Sequence, residues 1–571
     1  MSFRRTQNIK RDDKGNIISG SASIMSTVYD NSRQHKSKQV VVEKLGKVLW
    51  LGDSDRSGIF LNPQRGLFFY DSYTDKFMPV SADDPRLPHS VEVVPERHVV
   101  FGTIDMFLHF LKNLGYTALL KEIFPTKQDF QRVICHLAHK FLKDGSHIHV
   151  DDFIEKTILS YYATSISTST LGCDTRYFSM MGNEQIKIDF FKKLVAMQKA
   201  EHPEFGKACL IDSTPLPNDI EDNPFNALSR HGTGKSEAQI RLVLVLDKDT
   251  GIPVWYDLIP GNVLDINTLE KIRNDVMEFL ELEIVEYTLD AGYCSKPLIQ
   301  EFFPEVDKKG GDDKEGEESR NDKEVEESSA NEKEADKEKD RGDLIVRMPA
   351  RRGYPFKQLY HSKKPLFGKG KYMFTNEKHT YFGIREEVTI FDRKVNAYVY
   401  VDKENALTGF RNYLIEHEEE YEALSLSEKD YKTVECGFFV LISTYVMEPK
   451  DLLIEYFARA DIEGVFKTAK NYLDLLPLAK WTDTTVRGKI LSDMIATPIY
   501  LQSRLQVNKA KKSMTSAIGA LEGSICLVNK DKNIRIDYPS KKVKELQEAI
   551  DLSTGNNLGL VEYFESMGLP I

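Results

Sequence analysis

The chain lacks any apolar run of about 18 residues, any CxxC pair and any excess of positive charge. Each absence excludes something. Without a long apolar run no membrane-spanning helix is expected, and Met1 to Lys10 carries Arg and Lys with no apolar stretch behind it, so a cytoplasmic location is expected. The six cysteines stand singly, which suits a reducing compartment and argues against a disulfide framework. Cys135 does lie beside His136 and His139, but no second ligand cluster accompanies them, and an apolar helix with a half-buried histidine is the commoner arrangement. The net charge of −11 looks unsuited to a nucleic-acid partner. Most of it is local: Asp307 to Asp343 holds 16 acids against 9 bases, and the rest of the chain carries only −4. Net charge reports on solubility, whereas affinity for a polyanion depends on where Lys and Arg cluster.

At 571 residues, 41% of them hydrophobic, the chain is long enough for several domains. Residues 1–95 read as a polar, loosely held arm to about Lys38 followed by a small strand-rich unit. Residues 96–203 show helical periodicity, as in IDMFLHFLKNLGYTALLKEIF and FQRVICHLAHKFL. This is either a compact helical region or a helical DNA-binding region. Residues 204–304 change texture. ACLIDSTP, IRLVLVLDKDTGIPVWYDLIPGN and IVEYTLDAGY are short β-branched runs, separated by the helical NTLEKIRNDVMEFLEL, and they indicate an α/β sheet. Residues 305–343 form an acidic segment with too little apolar surface to fold alone, expected to be mobile. A strand-rich insertion is expected over 344–435, a second part of the α/β core over 436–510 and a C-terminal region over 511–571.

Asp212 ends the apolar run CLID and Asp290 ends VEYTLD. Neighbouring strands of one sheet could bring these carboxylates together, a donor set suited to Mg²⁺ or Mn²⁺. Taken singly, a strand-end Asp is more often a turn former or helix cap. In YFARADIEGVFKTAK, Tyr456, Arg459, Glu463 and Lys470 are spaced Y-x2-R-x3-E-x6-K, which on one helix places all four on one face. A face so polar is not ordinary core, although a solvated, salt-bridged helix would share that spacing.

Together DSTP, IPGN, LDAGY and the Y-R-E-K spacing, from about Ala208 to Leu505, resemble the DDE transposases of bacterial insertion sequences, the superfamily named after insertion sequence four. The resemblance implies an RNase H-like catalytic core with a strand-rich insertion. It implies that Asp212, Asp290 and Glu463 hold two Mg²⁺ or Mn²⁺ ions, and that Tyr456, Arg459 and Lys470 hold DNA phosphates. The implied partners are double-stranded DNA with terminal inverted repeats, target DNA and a second copy of the chain, with no membrane. Some relatives use an aromatic of the insertion to hold a flipped base. The tryptophans here, Trp50, Trp255 and Trp481, all lie outside Leu344 to Glu435, and a tyrosine or phenylalanine would have to substitute.

Two alternatives stay open: an RNase H-like nuclease that cuts without joining, and a catalytically silent DNA-binding descendant of a transposase. GTGKS at 232–236 suggests a phosphate loop, but the motif needs a glycine where Ser229 stands, and no convincing strand precedes it. His231 and Asn262 could line the site, although turn or packing roles are commoner for such residues.

Overall fold

The computed structural model describes all residues except 1, 14, 16, 30–36, 53–55, 63–65, 82–83, 88–96, 143–146, 163–165, 219, 221–222, 224, 230–236, 307–341, 474, 530–531, 553–556 and 571. The chain divides into two units, one of Met1–His109, Asp152–Ser165 and Gln506–Ile571, the other of Phe110–Asp151 and Ile166–Leu505. His231, GTGKS and nearly all of the acidic segment lie outside the described residues.

In the first unit, β1 (Ser2–Arg11), β2 (Ile17–Tyr29), β3 (Ser37–Leu51), β4 (Ser57–Asn62), β5 (Gly66–Asp71) and β6 (Lys76–Pro79) form an antiparallel meander in chain order. This corrects the expected polar arm, because its residues supply β1, β2 and the start of β3. Ile17, Ala22 and Ile24 pack with Leu45, Val48, Phe60, Phe68 and Tyr70. Since alternate side chains of a strand face opposite ways, the outward set makes the stretch look polar as a whole. A second sheet joins β7 (Arg97–Val100) to β18 (Ile525–Val528), β19 (Asn533–Ile536) and β20 (Asn557–Gly559). The C-terminal region is therefore paired with residues near 100 and shares their sheet.

The second unit is built on a ten-stranded sheet, so the chain is mixed α/β with three sheets among the described residues. Its strands are β8 (Ala208–Pro217), β9 (Ala227–Ser229), β10 (Glu237–Asp247), β11 (Pro253–Pro260), β12 (Glu286–Leu289), β13 (Asp343–Arg347), β14 (Met373–Asn376), β15 (His379–Ile390), β16 (Arg393–Asp402) and β17 (Phe438–Ser443). The order is β11-β10-β8-β12-β13-β17-β16-β15-β14, with β9 also on β10. β8, β10 and β11 are antiparallel to one another in sequence, whereas β12 runs parallel to β8 and β13 parallel to β12. Their near-continuous apolar runs reflect burial on both faces; all six residues of β17 are buried. Leu269, Ile272, Val276 and Leu280 recur at helical spacing as the buried stripe of the helix Leu269–Leu280, which packs on β11.

The region 344–435 differs from the expected strand-rich insertion in two ways. Its first strand, β13, belongs to the core sheet, and β14, β15 and β16 continue that sheet through β17. It also carries the helices Phe356–Lys363, Lys403–Ala423 and Leu426–Lys432. In the helical region, every residue of the helix Lys127–Leu142 from Phe130 onward is buried. This helix is core to the helical region, enclosed on all faces. No helix among the described residues is long and apolar enough to cross a membrane.

Candidate active site

Parallel pairing of β8 with β12 places Ile211 beside Leu289, so the next residues, Asp212 and Asp290, are neighbours. β12 ends there in a turn closed by the Tyr293 amide bonding to Asp290 O at 3.1 Å. β8 does not end. Asp212 was expected at a strand terminus, but β8 runs on to Pro217 against β10. The site therefore lies where one strand stops and its neighbour continues.

The third acid arrives on a break in the chain's helical run. Tyr456 lies in the helix Pro449–Phe457, while Glu463 and Lys470 lie in Ala460–Tyr472, with Arg459 at its N-cap. At the junction the amides of Arg459, Asp461 and Ile462 bond the carbonyls of Tyr456, Ala458 and Arg459, three residues back, at 3.1, 2.9 and 3.2 Å. This 3₁₀-type tightening breaks the single helical face that the spacing implied. Tyr456 accordingly turns into an aromatic core with Tyr381, Tyr398, Tyr400 and Leu452. Lys470 points to the far part of β8, donating to Thr214 Oγ1 at 2.7 Å and to Pro215 O at 2.9 Å. Burial lowers its pKa.

Arg459 and Glu463, one turn apart, face the two aspartates. The Arg459 guanidinium reaches Asp212 Oδ2 at 2.9 Å, Asp290 Oδ1 at 3.6 Å and Glu463 Oε1 at 3.7 Å. Exposure rises across the acids, from 14% for Asp212 to 37% for Asp290 and 65% for Glu463. Burial pushes the Asp212 carboxyl pKa up, against the pull of Arg459 and of the Ser213 amide that donates to it. Burial also penalises the Arg459 charge, yet Asp212, Tyr456 and Asp290 outweigh that and raise its pKa.

Charged and polar side chains that no sequence motif announces surround Asp212. Ser213 Oγ donates to Asp265 Oδ1 at 2.7 Å, and the buried Arg241 pairs with Asp265 at 2.6 Å and also donates to Ser213 Oγ. Arg241 further bonds Val263 O at 2.9 Å, tying the loop after β11 to β10. Gly292 allows this crowding, because a Cβ there would lie 2.8 Å from Asp265 Oδ2. Arg347, at the end of β13, is exposed, stacks over Phe439 at 5.4 Å and acts electrostatically on Tyr456. A signal existed only for Arg347, which opens the basic run RMPARR after a buried strand.

Asn262 falls in an exposed turn after β11. β9 does precede GTGKS, contrary to expectation, but Ser229 is its last residue. Cys135 is buried, and His136 bonds Leu171 O at 3.1 Å and stacks on Tyr177 at 4.0 Å, so both are packing residues. Among the described residues, only His379, Asp402 and Glu404 bring three metal-competent side chains within 4.8 Å of one another. They are already engaged: Asp402 caps the helix Lys403–Ala423 and accepts from Asn405 N at 2.9 Å, while Glu404 accepts from Thr380 N at 2.7 Å. Trp255 is buried in β11, whereas Tyr372 and Phe374 line a cavity of about 850 Å³ with Arg385 and Lys450.

Residues 203–483 match the family described as the transposase DDE domain, a span that contains all three acids, Arg459 and Lys470. That match supports a DDE domain over these residues. No curated protein matches the chain. Among solved structures it is similar to a piggyBac transposase synaptic complex with hairpin DNA, seen by cryo-EM, at 10% identity and a TM-score of 0.34, over 74% of this chain and 80% of that one. The carboxylates fit a hard divalent cation: three oxygen-donor side chains from three elements already turn to one positive group.

Proposed function

We propose that the chain is an insertion-sequence transposase that cleaves DNA at transposon ends and transfers the 3′ ends to target DNA. The observation that carries this reading is the convergence of Asp212, Asp290 and Glu463 on one cation, inside the segment that matches the DDE domain. Two Mg²⁺ or Mn²⁺ ions held there would activate the attacking oxygen and stabilise the departing one. Joining needs no ATP, since one phosphodiester replaces another.

The chain's own groups position the strand. Arg459 offers a planar fork to phosphate oxygens, and Arg347 adds an exposed charge that acts on Tyr456. Lys470 serves phosphate only by exchanging Thr214 Oγ1 and Pro215 O for it, and Tyr456 supports Arg459 from the core. Ser213, Asp265 and Arg241 keep β8 and the loop after β11 in register around Asp212. A homodimer pairing two DNA ends, acting in the cytoplasm, completes the proposal.

The test is incubation of purified protein with a labelled duplex bearing the inverted repeats that flank its gene, with Mg²⁺ or Mn²⁺. Metal-dependent cleavage and joining, lost in Asp212→Ala and Glu463→Ala by at least about a thousandfold, is the expected outcome. Cleavage without joining would leave a nuclease. Binding without cutting, equal in all three proteins, would leave a silent descendant.

A further inference from the structure

The same geometry shows what the acids do before any metal arrives. Asp212, Asp290 and Glu463 are not among the side chains whose ligand atoms fall within 4.8 Å of one another, so they are gathered but not closed. The guanidinium stands among them, dividing its work: Nη2 serves Asp212 and Glu463, and Nη1 serves Asp290. Like charges brought this close repel unless a cation lies between them, most severely for Asp212, the least exposed of the three. A planar fork, with donors spread over two terminal nitrogens, meets the three acids from one position.

We propose that Arg459 is the built-in counter-ion of the metal-free site, holding the three carboxylates at ion-pair distance, and that it must withdraw before they can close on divalent cations. This rests on the reading of the three acids as metal ligands. Of the three acids only Asp212 is within hydrogen-bond range, so withdrawal breaks one charge-assisted bond, two longer ion pairs and the electrostatic contact with Tyr456. Arg459 occupies the tightened junction between two helices, and its side chain can leave by rotation about its own bonds while Glu463 keeps its place one turn on. The freed fork is then available to DNA phosphate. One side chain thus couples metal entry to engagement of the strand: each favours the position of Arg459 that the other requires.

The experiment is a titration of the full-length, DNA-free protein with Mn²⁺, reading free ion by electron paramagnetic resonance, with thermal unfolding in EDTA as a check on folding. Because a competitor for the carboxylates lowers apparent metal affinity, Arg459→Met is expected to bind Mn²⁺ about tenfold tighter than wild type. Its melting temperature should also rise more on adding Mn²⁺. Arg459→Lys, which keeps a charge but cannot reach all three acids, should fall between them, and it decides the matter if the neutral variant does not fold. Asp212→Asn should weaken Mn²⁺ binding in every background. If Asp212→Asn weakens binding but neither Arg459 variant tightens it, the counter-ion role is wrong and the metal site stands. If Asp212→Asn leaves binding unchanged, the ligand assignment fails and the counter-ion role fails with it.

Discussion

Asp212 shows how much of a carboxylate's character comes from its neighbours. The same carboxyl is raised by burial and drawn back by Arg459 and the Ser213 amide, while Ser213 itself is held by Asp265. Gly292 is the permissive residue in this arrangement. Its added Cβ would press on Asp265, which is pinned by Arg241 and Ser213 and has little freedom to yield. Gly292→Ala is therefore expected to lower DNA cleavage by about tenfold while changing stability by about 1 kcal/mol or less, since the disturbance falls on a polar network beside the site and not on the core. Parallel measurement of single-turnover cleavage and urea unfolding would check this. Full activity in the variant would show that the Asp265 network does not position Asp212.

Among elements, the break between Pro449–Phe457 and Ala460–Tyr472 decides which signature residues meet. An unbroken helix would align Tyr456 with Glu463; the tightened turn seats Tyr456 in the aromatic core, where it still acts on Arg459 and Asp290, and leaves Glu463 facing the aspartates. Close helix packing elsewhere in this unit depends on two glycines. A Cβ on Gly488 would overlap the carbonyl oxygen of Phe178, and one on Gly182 would overlap that of Thr484, so the helices Asp174–Met181 and Asp483–Lys509 approach backbone to backbone. Alanine is the better helix former by about 1 kcal/mol, yet Gly488→Ala is expected to destabilise by about 2 kcal/mol because the overlap is with backbone that cannot rotate away. Chemical denaturation measures the net. A stabilised variant would mean that the helices part at no cost.

For the molecule as a whole, acid stability should be governed by buried histidines. His136 is held at about 3 by burial, and burial lowers His147 further still. Their rings pack 5.8 Å apart, with His139 beside His147 at 5.2 Å. Below a pH of about 6.5 the His136 and His147 imidazoles take up protons in the unfolded chain but not in the folded one. Depressed values therefore contribute stability that is complete above about pH 6.5 and is lost as pH falls, by up to about 1.4 kcal/mol per pH unit for each histidine. Denaturant midpoints measured from pH 7.5 to 5 should decline, and His136→Gln should reduce the slope. A flat profile over that range would show that the rings are protonated, or hydrated, in the folded protein.

The sequence by itself marked the α/β character of the core, its apolar strands and the three acids that gather around Arg459. Each of these signals is local: an apolar run ending in a carboxylate, or a fixed spacing along a helix. Tertiary structure alone decided that β8 passes beyond Asp212, that the insertion extends the core sheet, and that β7 pairs with a strand more than 400 residues later. It also decided that Arg241, Asp265 and Ser213 meet beside Asp212. The first two strands are hidden in the sequence because one face of the meander is polar, so average composition masks alternation. The physical reason is common to all of these. Strand register and non-local ion pairs depend on which surfaces pack together, and residues far apart in the chain carry no mutual signal until packing brings them within a few ångströms.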